Sequence, residues 1–130
     1  MEIFLTYILP VLLGLTIGYL LIGRKKVAKD SIEVLDPETF KKNMRKGQLI
    51  DIRKPEDFKK DRIKGARNFS VGYLKSKNQT KVRRDIPLYL YCDNGRKSLR
   101  AARKLAKKNY KKIYVLAGGK NAYDQKKDVR

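Results

Sequence analysis

The sequence predicts an α/β domain, a mostly parallel sheet with helices on both faces, behind one apolar N-terminal segment. Three observations carry this. Apolar runs of strand type at 48–53 (QLIDIR), 86–91 (IPLYLY) and 113–116 (IYVL) alternate with helical stretches, a pattern that parallel sheets need for their crossovers. The 130 residues leave room for one domain. The apolar residues are concentrated in the first 23 positions, where Glu2 is the single charge.

From Ile3 to Gly23 the chain carries 21 uncharged residues, close to the ~20 that a helix needs to cross a bilayer. A transmembrane anchor is therefore expected over 1–23, with Tyr7 and Tyr19 toward its two ends. Pro10 is tolerated in lipid where neighbouring groups satisfy the freed carbonyl. A cleaved signal peptide is the alternative, opposed by the absence of a basic leading region and of a small-x-small cleavage site. Arg24, Lys25, Lys26 and Lys29 follow the segment and no Lys or Arg precedes it. The positive-inside rule then places the N-terminus outside and the remainder, in a cell-membrane protein, on the cytoplasmic side.

A basic juxtamembrane linker is expected over 24–31 and the folded domain over 32–130. Val34-Leu35 is a brief apolar stretch. Asp36-Pro37-Glu38 then combines an N-cap, a proline suited to the first helical position and an acid that complements the dipole. The helix runs to about 45, and Gly47 ends it. After the strand at 48–53, Pro55 opens a second helical turn, Lys64-Gly65 is a turn and Asn68-Phe69-Ser70 a short strand. Residues 71–85 are basic and polar and read as broken helix. The strand at 86–91 is the strongest in the chain, and 92–97 is a loop by composition. Ser98 opens a helix in which Leu99, Ala102, Leu105 and Ala106 recur at helical spacing. A last strand at 113–116 closes on Gly118-Gly119, before a helical turn over 119–125.

Charge and cysteine usage bound the function. Only Glu2 belongs to the apolar segment, so the remainder holds all 33 basic residues against 12 acidic ones, a net charge of +21. Beside a bilayer such a charge attracts anionic headgroups. A lysine bias without function and RNA contact are the alternatives, and the even spread of Lys and Arg speaks against a nucleic-acid patch. One cysteine excludes an intramolecular disulfide and a multi-cysteine metal site, and the absence of histidine excludes imidazole catalysis. No metal and no organic cofactor is expected.

Cys92 stands where the strongest strand passes into a helix, at the strand ends where such folds place their ligands. A free thiol is mostly protonated at neutral pH, so an attacking cysteine needs a positive field. A helix N-terminus and a tight turn at Gly95 supply backbone N–H donors able to cradle an anion, and Arg96 and Lys97 add charge. Asp93 opposes this and repels anionic donors. A buried packing cysteine is the plain alternative, but it would rarely be followed by Asp93-Asn94-Gly95-Arg96-Lys97.

Four ordered blocks carry a family resemblance. Asp51-Ile52-Arg53 with Glu56, Phe58, Ile63, Gly65 and Ala66 forms one block, and the second runs from Tyr91 through Cys92 to Ser98. Ala101, Ala102 and Leu105 follow in the helix, and Val115-Leu116-Ala117-Gly118-Gly119 with Ala122 closes the set. From about Ile32 to Tyr123 the chain resembles the single-domain rhodanese family. The resemblance implies a rhodanese-like sulfurtransferase or persulfide carrier. Cys92 would take a sulfane sulfur from a thiosulfate-like or persulfide donor and pass it to cyanide or a thiol, including a protein thiol. Amides from Asn94 to Ser98 would bind the persulfide, and Asp51 and Arg53 would support the loop. A non-catalytic interaction module of the same fold at the membrane surface is the alternative.

Three positions depart from the family. Arg62 stands where many relatives have histidine, Tyr123 where many have tryptophan, and Asp93 where thiosulfate-preferring relatives often carry a basic residue. The last puts thiosulfate in doubt as the donor. Phosphatases and arsenate reductases of related fold use a longer loop with arginine six positions after the cysteine. Here Ser98 occupies that position.

Overall fold

The computed structural model describes residues 1–22 and 31–128. At the N-terminus a π-helical segment, Phe4–Ile8, runs into α1 (Leu9–Ile22). Among the described residues no helix is long and apolar enough to cross a membrane, so the transmembrane helix expected over 1–23 finds no support there. Helical backbone is continuous over residues 2–22, of which the regular α-helix holds 14. Pro10 has no N–H for the carbonyl four residues back and crowds that turn, so the wider π turn falls just before it. The linker expected over 24–31 lies outside the described residues except for Ser31.

The domain is a five-stranded sheet in the order β1-β5-β4-β2-β3 with every pairing parallel. Its elements are β1 (Ile32–Leu35), α2 (Pro37–Asn43), β2 (Gln48–Asp51), α3 (Pro55–Lys60), β3 (Arg67–Asn68), α4 (Val71–Lys75), β4 (Leu88–Tyr91), α5 (Arg96–Ala106), β5 (Ile113–Leu116) and α6 (Gly119–Asp128). Strand β4 lies at the centre and all four of its residues are buried. Leu88 and Leu90 pack on one face with Ile50, Leu74, Ala102, Leu105 and Val115. Tyr89 and Tyr91 pack on the other with Phe40, Met44, Leu49 and Leu116. The period-two alternation of a strand thus feeds two cores at once, which leaves the end of β4 rigid on both sides.

Local chemistry explains the boundaries. Asp36 caps α2 by accepting from the Thr39 amide at 3.4 Å, and Met44–Lys46 follow as a 3-10 turn. Gly47 ends this element as expected, but with extended backbone (φ −145°) rather than a left-handed cap. A Cβ there would lie 2.3 Å from the Pro87 carbonyl oxygen, so the glycine admits close approach to the chain entering β4. The polar stretch after Ser70 holds the short helix α4 and then turns pinned by Gln79. Its buried side chain donates to the Val82 carbonyl (2.8 Å) and to Tyr110 Oη (2.9 Å) and accepts from the Val82 amide (2.8 Å).

Candidate functional site

Cys92 is the first residue after β4, at the carboxyl end of the central strand. Its side chain is turned inward and the residue is only 2% exposed. Two backbone amides converge on the sulfur, Gly95 N–H at 3.1 Å and Ser98 N–H at 3.4 Å, and Ser98 Oγ lies 3.3 Å away. The Ser98 hydroxyl donates its one proton to the Gly95 carbonyl at 3.1 Å. The contact between Oγ and a protonated sulfur therefore has the thiol as donor. On ionisation the hydroxyl is free to turn and donate to the sulfur instead, so three donors can face a negative charge there.

The loop reaches this shape because Gly95 takes φ +86°, which carries the chain from the strand into α5. Helix α5 leaves its first amides without intrahelical acceptors. Asn94 Oδ1 accepts from the Arg96 amide at 3.0 Å and the sulfur from Ser98. Among the described residues the Lys97 amide makes no such bond. The expected positive field is thus backbone in origin. Arg96 and Lys97 are exposed on the first turn and Asp93 faces outward, so of the predicted loop residues Cys92, Gly95 and Ser98 meet at the sulfur.

Asp51 and Arg53 form a second layer. Asp51 ends β2 beside β4, in register with Tyr91, and is wholly buried. It holds the Arg53 guanidinium through Nε at 3.0 Å and Nη2 at 2.8 Å. Arg53 reaches Asp93 at 3.5 Å and donates to the Asp61 carbonyl. Burial works against the Arg53 charge, but the hydrogen bonds and field of Asp51 outweigh it and hold the guanidinium above its ordinary range. The loop acid that opposed the positive field is thereby paired to the layer beneath it.

Sequence reasoning missed the contacts of four residues, Lys120, Asn121, Gly119 and Tyr91. Lys120 and Asn121, at the start of α6, donate backbone N–H bonds to the Cys92 and Asp93 carbonyls at 2.7 and 3.1 Å. The Lys120 ammonium is nearly buried between Asp61 (2.5 Å) and Asp124 (2.6 Å). Burial opposes its charge, and the two carboxylates more than compensate, raising its pKa. Gly119, at φ +64°, lies so close beneath the loop that a Cβ would stand 2.5 Å from both the Cys92 and the Asp93 carbonyl oxygens. Tyr91 Oη accepts from the Ile63 amide at 3.2 Å. Tyr91 and the Gly118-Gly119 pair stood in the blocks of the family resemblance, the pair also as a strand stop, but nothing local announced these contacts.

The rhodanese-like domain model matches residues 36–126. The chain belongs to this family. Among relatives of the rhodanese-like domain, an uncharacterized Bacillus subtilis (strain 168) protein, YqhL, is 43% identical over 88 residues, covering 68% of this chain and 69% of that protein. A rhodanese-related protein from Thermoplasma volcanium superposes with a TM-score of 0.64 at 18% identity, over 72% of this chain and 92% of that one. The reduced CoADR-RHD of Bacillus anthracis gives 0.66 at 28% identity over 76% of this chain, which spans only 18% of that longer protein. The described residues contain no group of three or more His, Cys, Asp or Glu that could hold a metal ion.

Proposed function

We propose that this rhodanese-like domain moves a sulfane sulfur through a persulfide on Cys92. The single observation that carries the reading is the convergence of the Gly95 and Ser98 amides on the cysteine sulfur. Donors fixed by the backbone stabilise charge on that atom without reorganising. In the first half-reaction the Cys92 thiolate attacks the outer sulfur of a donor. With a thiosulfate-like donor the sulfur–sulfur bond breaks and sulfite leaves with the electron pair. In the second, cyanide or a thiol attacks the outer sulfur of the persulfide, and the pair of the broken bond returns to Cys92. The Gly95 and Ser98 amides hold the transferred sulfur, with that of Lys97 open to it or to a donor oxygen. Asp51 and Arg53 act beneath the loop as positioning residues, and Arg53 offsets the charge of Asp93. Asp93 at the rim favours a persulfide donor over the dianion thiosulfate.

The 2% exposure of Cys92 favours a second reading, a binding module of the same fold whose cysteine only packs. Intact mass separates the two. Incubation with thiosulfate or a small persulfide should add roughly 32 Da, one sulfur atom, reversibly with a reductant, and Cys92→Ser should abolish the gain. Folded protein that gains no mass with either donor supports the module.

A further inference from the structure

The exposed face of α5 is a track of positive charge that begins at the active loop. Residues 96–112 contain nine Lys or Arg and no Asp or Glu. At 100° per residue, Arg96, Arg100, Arg103 and Lys107 (spacing i, i+4, i+7, i+11) fall in one row about 16 Å long, with Lys97 and Lys104 in a second row beside it. All six are exposed, and none makes an ion pair among the described residues. The opposite side of the helix, with Ala101, Ala102 and Leu105, is buried in the core.

Such a helix works against itself. Like charges three and four apart repel, and Arg96 and Lys97 sit at the N-terminal end, where the dipole disfavours cations. A solvated face would carry interspersed Glu or Asp. The arrangement is relieved when anions lie along it, and its place restricts what they belong to. A flat anionic bilayer on this track would lie across the loop and cover Cys92. A nucleic acid would neutralise the track but has no thiol to exchange sulfur.

We propose that α5 is the docking track for a protein partner whose sulfur-accepting cysteine is bordered by acidic residues. This rests on the persulfide reading of Cys92 and names the acceptor class. The partner's thiolate attacks the outer, protonated sulfur of the Cys92 persulfide. The sulfur–sulfur bond breaks, its electron pair stays on Cys92 Sγ, the proton travels with the transferred sulfur, and the partner leaves as a persulfide. No oxidant or reductant is consumed.

The test uses the 130-residue chain and two synthetic cysteine peptides, one with four Glu around the cysteine and one with Gln in their place. The acidic peptide should be the better acceptor by about tenfold in kcat/KM at low ionic strength, an advantage that fades toward 0.5 M salt as the charges are screened. A triple variant (Arg100→Glu, Arg103→Glu, Lys104→Glu) should lose it while loading Cys92 and transferring sulfur to cyanide as before. The triple Gln variant at the same positions gives the same comparison if the reversal disturbs folding. Equal use of the two peptides, or a preference that survives both triple variants, overturns the proposal. If Cys92 fails to load, the persulfide reading fails by itself. Docking is then read by fluorescence anisotropy of the labelled acidic peptide on Cys92→Ser protein, where it should bind and weaken about tenfold in the triple variant. Binding to anionic vesicles or single-stranded RNA that falls in the triple variant, while peptide binding does not, assigns the track elsewhere and overturns it.

Discussion

Replacing Gly119 with alanine tests whether α6 holds the loop that presents Cys92. The residue has φ +64°, a region that costs a side-chain-bearing residue roughly 1–2 kcal/mol. Its new Cβ would stand 2.5 Å from the Cys92 and Asp93 carbonyl oxygens, where ordinary contact begins at 3.4 Å. Both are backbone atoms, so the loop must retreat by nearly an ångström and lengthen the bonds from the Lys120 and Asn121 amides. Adding the partial loss of two buried hydrogen bonds brings the cost to about 3–5 kcal/mol. Gly65 provides the control, since it has φ +87° but nothing within 4 Å of a Cβ. Gly65→Ala should cost only the conformational part, about 1–2 kcal/mol. Urea unfolding gives the stabilities, and the rate of sulfur loading by intact mass gives the second readout. A misplacement of this size should slow loading by about 100-fold in Gly119→Ala and leave Gly65→Ala unaffected. Equal stabilities, or normal loading by Gly119→Ala, would refute the reasoning.

Three further outcomes are expected. Arg53→Met leaves the buried Asp51 carboxylate without its partner and should cost about 3–5 kcal/mol in urea unfolding; Asp51→Asn on the same background should recover most of it. Asp93→Lys removes the rim acid paired to Arg53 and should raise kcat/KM for thiosulfate severalfold while changing that for a neutral persulfide donor little, as steady-state kinetics will show. Burial raises the Tyr91 phenol above its ordinary value of 10.0, so above pH 10 the unfolded chain loses a proton that the folded chain keeps, and stability falls by up to about 1.4 kcal/mol per pH unit for this group. Thermal melts from pH 9 to 11 should show that decline, with a shallower slope for Tyr91→Phe.

The parts most legible in the sequence were those in which one segment states its own structure. IPLYLY reads as a buried strand because both its faces are apolar, and only its first two residues fall outside β4. The loop was legible because Cys92, Gly95 and Ser98 are neighbours in sequence as well as in space. Where two distant segments meet, the signal vanished. β1 passed as a brief apolar stretch because an edge strand of four residues, with Glu33 exposed among them, shows no alternation to read. Lys120 is one lysine among many, and nothing local says that its ammonium lies between Asp61 and Asp124. The Arg53–Asp93 pair spans 40 residues. At the N-terminus the helix was legible as a helix, residues 2–22 being helical throughout, while the π turn ahead of Pro10 was not.

The bonds from Lys120 and Asn121 to the loop carbonyls set an order of events during synthesis. A ribosome exposes Cys92 some 28 residues before it exposes the amides that steady that residue's own carbonyl. A nascent or truncated chain therefore carries the thiol without its finished setting. The surroundings of Cys92 are complete only once translation has passed Asn121.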